Sequence, residues 1–189
     1  MIKYLVLWLL AINIAYADDL KLVSAARKQV GITKQYDPNY SRLDYPNGDV
    51  ARTKGVCTDV LIRALRDAYQ LDLQKLVHED MAKNFVLYPK KWGLKKADTN
   101  IDHRRVPNLQ VYFARHWQKV ALSQVAADYH AGDVVTVMLP GNLPHIMLVS
   151  DKLDLLTNTP FVIHNIGRGT REEAGLFSYP MTGHYRLRI

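Results

Sequence analysis

Three side chains in this sequence supply the chemistry of a nucleophile, a base and an orienting group, namely Cys57, His145 and His164. Cys57 is the only cysteine in the chain, so it cannot form an internal disulfide. A thiol becomes an effective nucleophile when a base lies within hydrogen-bond reach and a third group holds the tautomer and orientation of that base. The three residues together predict catalysis by a cysteine, although each one alone also fits a buried structural role.

Cys57 is predicted to lie in the first turn of a helix over 55–69. The apolar residues that follow it recur at offsets of three and four, the period of an amphipathic helix: Val60, Leu61, Ala64, Leu65 and Ala68. The first backbone N–H groups of a helix have no partner inside the helix, and the helix macrodipole adds partial positive charge there. Both effects stabilise a thiolate, so we expect a lowered pKa for the Cys57 thiol.

The elements around these residues predict an α+β fold, with helices first and an antiparallel sheet second. Helical periods cover the segments 18–30, 71–85 and 108–120, and β-branched runs cover the segments 133–139, 145–150, 160–166 and 184–189. Asn108 is the expected N-cap of the last helix. His145 therefore opens the second predicted strand, and His164 lies within the third.

The third catalytic position has two candidates, His164 and its neighbour Asn165. Successive side chains of a strand point to opposite faces of a sheet, so only one of the two can face His145. The sequence leaves both open.

Three segments lack a sustained period and are interpreted as loops. The segment 32–54 is a long loop that leads into Cys57, and loops of that length in small domains are usually functional. The segment 86–106 is expected to run over the surface, with Asp102–Arg105 as a solvated ion-pair face. The segment 167–173 is expected to be a mobile loop.

Residues 1–17 predict a secretory signal peptide. One charge at Lys3 precedes an apolar run, and Ala15-Tyr16-Ala17 has the pattern of a cleavage site. The run is shorter than the roughly 20 apolar residues of a membrane-spanning helix. The mature chain is then 18–189, expected to be one monomeric domain, either periplasmic or secreted, that does not remain inserted in a membrane.

The balance of charge points to an anionic partner. The formal net charge is +7, but the basic residues are scattered and no nucleic-acid-binding motif accompanies them. Anionic cell-wall polymers therefore suit the chain better than nucleic acid. Exported proteins normally pair their cysteines, so a single oxidisable thiol is best explained by chemistry.

The sequence also resembles known families. The segments GVCTDVLIRALR, IDHRRVPNL, HIMLVSD, IHNIGRG and GHYRL are similar to a bacterial family catalogued as domain of unknown function 1287, over nearly all of the mature chain. A helix-borne cysteine, a strand led by Gly132-Asp133, a histidine opening the next strand and a polar residue on the one after more distantly resemble the NlpC-type branch of papain-like cysteine peptidases, which cleave peptidoglycan peptides.

The NlpC-type resemblance implies a papain-like fold in which Cys57 is the nucleophile, His145 the general base and His164 the third member. It also implies that Tyr45, which lies twelve residues before the cysteine, stabilises an oxyanion or contacts substrate. No cofactor is implied.

The sequence departs from the NlpC pattern around the nucleophile. NlpC-type enzymes usually read Asp-Cys-Ser-Gly, whose acidic residue and serine grip the free amine of the stem peptide, whereas this chain reads Val56-Cys57-Thr58-Asp59. Thr58 and Asp59 are therefore candidates for substrate binding. Asp59 either replaces the amine grip together with Arg63 or forms an ordinary ion pair with Arg63, and we favour the ion pair.

The resulting hypothesis is an exported cysteine amidase or endopeptidase that acts on cell-wall peptides. Two alternatives from other classes remain. One is a non-catalytic cell-wall-binding module on a peptidase-like scaffold. The other is a zinc site formed by Cys57, His145 and His164, whose side chains suit that metal.

Overall fold

A computed structural model describes residues 19–188 of the chain. The predicted signal peptide, residues 1–17, lies outside the described residues. No helix in residues 19–188 combines the length and the apolar character that crossing a membrane requires.

The described residues contain four α-helices, all in the first two thirds of the chain. Their bounds are 19–27 for α1, Cys57–Tyr69 for α2, Leu73–Lys83 for α3 and Val106–His116 for α4. All four helices predicted from apolar periodicity are confirmed, with ends that differ by a few residues.

The start of α4 differs from the prediction. We expected Asn108 as the N-cap, but the helix begins at Val106 with Arg105 in the cap position. Pro107 fits in the first turn because a proline there lacks only an N–H that has no helical partner. The side chain of Asn108 instead donates a hydrogen bond to the carbonyl oxygen of Asp102, over 3.1 Å.

The C-terminal part forms a six-stranded antiparallel sheet in the order β3-β8-β4-β5-β6-β7. Its strands are β3 at Gln118–Lys119, β4 at Val134–Leu139, β5 at Leu143–Leu153, β6 at Pro160–Asn165, β7 at Thr170–Glu173 and β8 at Met181–Arg186. Two further short strands, β1 at Gln35–Tyr36 and β2 at Lys54–Gly55, pair in parallel within the long loop before α2. The mixed α+β architecture with an antiparallel sheet is confirmed.

Strand β7 is the main element that the sequence analysis missed. The segment Thr170–Glu173 was expected within a mobile loop, but it pairs with β6 in the register His164 to Arg171 and Asn165 to Thr170. Its Glu172 accepts hydrogen bonds from Ser150 and Arg27 and pairs with Lys152. The mobile-loop prediction is therefore wrong for this segment.

The core lies on both faces of the sheet. Ile146, Leu148 and Ile163 are buried in one cluster with the apolar face of α2, whereas Met147 and Val162 belong to a second cluster on the opposite face. This alternation is what a strand periodicity of two produces. It fixes α2, and with it the cysteine at its first residue, against β5 and β6.

Candidate active site

Cys57 is the first residue of α2, as predicted. Val56 is the N-cap, and its backbone N–H donates to the Asp59 carboxylate over 2.7 Å. This bond satisfies a donor at the helix end and holds the chain in an extended conformation immediately before the helix. The start of α2 is therefore well defined, and the sulfur projects from its first turn.

The sulfur of Cys57 lies in a gap between β5 and β6. These strands pair at Leu148 and Ile163, but no pairing continues toward Ile146. The Val149 N–H donates toward β4, so by alternation the Ile146 N–H points toward β6. There it donates to the Cys57 sulfur instead of to a strand carbonyl. The sulfur thus lies beside the peptide group that joins Ile146 to His145.

The pKa of the Cys57 thiol shifts opposite to the expected direction. The side chain is only 6 % exposed, and burial raises the thiol pKa to about 11, against the lowering effect of N–H groups from Ile146 and the helix start. Nearby Asp59 raises it further. The expected lowering is therefore wrong, because desolvation of a buried ion outweighs the helix terminus. At neutral pH the side chain is a thiol.

Alkylation of Cys57 by iodoacetamide is expected to be slower at pH 7 than that of free cysteine. A raised pKa reduces the thiolate fraction at every pH below it, so the rate should keep rising beyond the pKa of a free thiol, about 8.5. The measurement is the rate of adduct formation by intact mass from pH 6 to 11, with glutathione as the reference. A midpoint of the rate profile below pH 8 would contradict a buried thiol with a raised pKa.

Two strand histidines and a glutamate form a chain of hydrogen bonds that begins at His145, the residue directly before Ile146. His145 Nε2 lies 2.8 Å from His164 Nδ1, and His164 Nε2 lies 3.0 Å from Glu173 Oε1. Both histidines are buried, at 2 % and 5 % exposed, whereas the Glu173 side chain is 39 % exposed. Three neighbouring strands, β5, β6 and β7, therefore each contribute one member.

The carboxylate at the end of this chain determines the tautomers of both rings. Burial lowers the pKa of His145 to about 3, with repulsion from His164 as a smaller cause, and burial also lowers the pKa of His164. Both rings are therefore neutral at pH 7. An ionised carboxylate only accepts, so His164 Nε2 donates to Glu173 and His145 Nε2 donates to His164. Nδ1 of His145 is left as a proton acceptor.

The structure brings His164, and not Asn165, to His145. Asn165 is fully buried and its side-chain amide donates to the Gly55 carbonyl oxygen over 3.1 Å. Its side chain therefore points to the opposite face and fastens β6 to the segment that precedes Cys57. The choice that the sequence left open is decided by strand register, which a sequence alone does not give.

Asp59 does not pair with Arg63, so the favoured ion pair is wrong. Both oxygens of the Asp59 carboxylate accept from Arg104, each over 2.9 Å. Arg63 is fully buried and bonds Asp49, at a shortest distance of 2.9 Å. The Thr58 hydroxyl donates to the Arg104 carbonyl oxygen over 3.2 Å, so it also faces away from a substrate.

The segment Asp102–Arg105 is also not the solvated ion-pair face that we expected. Asp102, His103 and Arg104 are buried, at 1 %, 2 % and 7 % exposed. The segment forms a 3₁₀ turn against α2 and α3, and Arg104 reaches from it to Asp59. This prediction is wrong because a buried long-range partner, 45 residues away in sequence, neutralises the arginine.

Replacing Arg104 by alanine is expected to destabilise the fold by about 3–5 kcal/mol, because it leaves the buried Asp59 carboxylate without its cation. Arg52→Ala is a matched control, since the Arg52–Asp67 pair is largely exposed and should cost about 1 kcal/mol or less. Urea unfolding of both variants measures the difference. Equal unfolding midpoints for the two variants would show that the Arg104 pair is not a structural requirement.

Tyr36, and not Tyr45, is the tyrosine next to the nucleophile. Tyr45 packs edge-on against His78, with ring centroids 5.1 Å apart, and does not line the cleft at the cysteine. Tyr36 does line it, and burial together with the nearby Cys57 raises the pKa of its phenol to about 12. The parallel pairing of Tyr36 with Gly55 places it there. No local pattern in the sequence signals that pairing.

A cleft of about 250 Å³ opens at Cys57. It is lined by β1, by the start of α4 and by residues from both long loops: Tyr36, Pro38, Val56, Cys57, Lys91, Trp92, Ile101, Arg104, Arg105, Val106, Pro107 and Pro144. Within residues 19–188, no three His, Cys, Asp or Glu side chains are arranged to hold a metal ion. The zinc site considered from the sequence therefore finds no support in the arrangement of Cys57 and the two histidines.

The fold and site define an α+β domain with a helix-borne cysteine and two buried histidines that hydrogen-bond to each other. The chain belongs to the family described as domain of unknown function (DUF1287), whose profile matches residues 23–187. It is also 53% identical over 175 residues to the "Uncharacterized protein YijF" of Escherichia coli (strain K12), covering 93% of this chain and 84% of that protein. The resemblance of the sequence to domain of unknown function 1287 is confirmed.

Proposed function

We propose that this protein is an exported cysteine amidase or endopeptidase that hydrolyses amide bonds in peptidoglycan peptides, on a papain-like scaffold of the NlpC type. The observation that carries the proposal is that the Cys57 sulfur accepts from the Ile146 N–H, directly after His145, from whose ring a chain of hydrogen bonds runs through His164 to Glu173. In this proposal His145 is the neutral base, with a free acceptor nitrogen, for a thiol that opens on a cleft.

The first step forms a thioester. His145 Nδ1 takes the proton from the Cys57 thiol as the sulfur attacks the amide carbonyl carbon, so charge develops only during the reaction. The carbon–nitrogen bond then breaks, and the amine leaves with the proton held by His145. The Tyr36 phenol remains protonated at neutral pH and is available to donate a hydrogen bond to the oxyanion.

The second step releases the acyl group. Water attacks the thioester carbon and gives one proton to His145 Nδ1, and that proton returns to sulfur as the carbon–sulfur bond breaks. The sum is one amide and one water converted to one carboxylic acid and one amine. Charge on the His145 ring is stabilised through His164 by the Glu173 carboxylate.

Glu173→Ala is expected to slow hydrolysis about tenfold, because His164 loses the acceptor that orients both rings. Glu173→Gln is the matched control, since its amide oxygen can still accept from His164 Nε2 and should preserve more activity. Nitrogen-15 NMR of the histidines reads the tautomer directly. An unchanged Nε2–H tautomer at His145 in Glu173→Ala would refute this role.

The cellular target follows from the predicted export and the resemblance to NlpC-type peptidases, together with a basic chain that suits anionic wall polymers. The test is incubation of the mature chain with purified peptidoglycan in water enriched in oxygen-18, with mass spectrometry of the soluble products. We expect new free amines and new carboxyl groups, and each new carboxyl group should carry one oxygen-18 atom. Products with new sugar ends only, or no products, would overturn the proposal.

A second candidate is a wall-binding module without catalysis, and the thiol itself favours it. Cys57 is nearly buried and its pKa is raised, as for a cysteine that serves packing. This candidate predicts that the protein sediments with peptidoglycan, releases nothing from it and binds equally well as Cys57→Ala. Release of peptides in the oxygen-18 experiment would exclude it.

A further inference from the structure

The cleft at Cys57 is lined by positive charge only. Its lining includes Lys91, Arg104 and Arg105 and no aspartate or glutamate. These cations differ in how far protein carboxylates already compensate them, and that difference shows which of them can act on a ligand.

The charge of Arg104 is compensated within the protein. Its side chain is 2 % exposed and bonds both oxygens of Asp59, which is 5 % exposed. A compensated, buried pair presents little net charge to the cleft. The same pairing also prevents the Asp59 carboxylate from holding the amine of a substrate.

Arg105 is only weakly compensated. Its closest carboxylate oxygen, on Asp102, is 3.5 Å from Nη1, and that buried nitrogen makes no hydrogen bond. Burial lowers the pKa of the Arg105 guanidinium, and the opposing influence of Asp102 does not offset it. A partly desolvated guanidinium with an unpaired N–H gains from binding a carboxylate, which accepts two hydrogen bonds from the guanidinium fork.

Trp92 places a second cation next to the first. The Arg105 guanidinium carbon lies 4.1 Å from the centroid of the Trp92 ring, and the Lys91 ammonium lies 5.2 Å from it. Lys91 is exposed. The ring thus holds two cations at the wall of the cleft that contains the cysteine.

We propose that Arg105 and Lys91 select a peptide with a carboxylate close to the scissile amide, so that the cleft takes an acidic peptide and not one gripped by a free amine. This inference rests on the proposed function only for the position of the reacting amide. The carboxylate of the peptide binds to the guanidinium of Arg105 and to Lys91. Trp92 packs against the apolar part of the peptide residue that carries this carboxylate.

The test is binding to the Cys57→Ala chain, which forms no thioester and so keeps the ligand intact. The probes are N-acetyl-Ala-Glu-Ala-amide, its glutamine counterpart, and the glutamine peptide with a free amino terminus, measured by calorimetry in 0.15 M salt. We expect the glutamate peptide to bind about tenfold more tightly than either other peptide. Equal affinities, tighter binding of the free amine, or no binding of any peptide would overturn the proposal.

Two variants test whether Arg105 and Lys91 cause the preference for the glutamate peptide. Arg105→Gln and Lys91→Gln, each made in the Cys57→Ala background, are expected to reduce the preference for glutamate, with the larger reduction in Arg105→Gln. Lys28→Gln removes the same charge from an exposed residue outside the cleft and should leave the preference unchanged. An equal loss of this preference in Lys28→Gln would show that the preference comes from net charge, and it would overturn the proposal. Binding is measured without turnover, so a failure of hydrolysis and a failure of this inference are distinguishable.

Discussion

Cys57→Ala is expected to lower the rate of amide hydrolysis by at least about 10⁴-fold, to the background of the assay. The chain contains no second cysteine, so no other side chain can form the thioester. The measurement is product release from peptidoglycan by mass spectrometry, with wild type and variant at equal concentration.

Cys57→Ser is the control for loss of structure. Serine is close to cysteine in shape, and its hydroxyl can still accept from the Ile146 N–H, but an alcohol beside a neutral imidazole is a much weaker nucleophile here. We expect both variants to retain the wild-type circular dichroism spectrum and both to be inactive. Activity within tenfold of wild type in either one would exclude the sulfur as the nucleophile.

His145→Ala is expected to reduce hydrolysis about 10³-fold, because general-base assistance of this kind contributes about 10²–10⁴. The variant should also change the pH dependence. Without the imidazole, the reaction needs the free thiolate, whose pKa is raised to about 11, so the residual rate should increase about tenfold per pH unit from pH 7 to 10. Wild type should show a much weaker dependence over this range.

His130→Ala is the matched control for His145→Ala, since His130 is exposed and lies outside the hydrogen-bond chain. It should leave both the rate and the pH profile at wild-type values. A His145→Ala variant that keeps the wild-type pH profile, or loses less than tenfold in rate, would show that another group accepts the thiol proton.

Elements defined by a local pattern could be predicted from the sequence. The apolar spacing after Cys57 gave the position of α2 to within two residues, and the β-branched runs located β4, β5, β6 and β8. Strand β7 could not be found in this way. Its sequence, TREE, has no apolar alternation, and its strand conformation comes from pairing with β6.

The two histidines of the hydrogen-bond chain could be predicted from the sequence, but its third member, Glu173, could not. His145 and His164 stood out as polar residues in apolar strands, whereas Glu173 lay in a segment interpreted as a loop. Likewise the Arg104–Asp59 pair and the approach of Tyr36 depend on contacts between distant segments. Long-range pairings of this kind leave no periodic signal in the chain.

The predicted direction of the Cys57 pKa shift is wrong because burial has a larger effect on the pKa than the helix terminus. A helix terminus contributes about 0.3–1 kcal/mol in favour of a nearby anion, whereas full burial can shift a pKa by 3–5 units against it. The sequence shows where a helix starts but not how deeply its first side chain is buried. Here the Cys57 side chain is only 6 % exposed, so burial dominates.

The most direct test of the account is to capture the acyl-enzyme. Wild-type protein that starts at residue 18 is mixed with soluble peptidoglycan fragments and quenched in acid within the first turnovers, and its intact mass and proteolytic peptides are measured. We expect a mass increase equal to that of the acyl fragment, located on the peptide that contains Cys57 and removed by hydroxylamine. Product release with no adduct at Cys57, accompanied by equal release from Cys57→Ala, would contradict it.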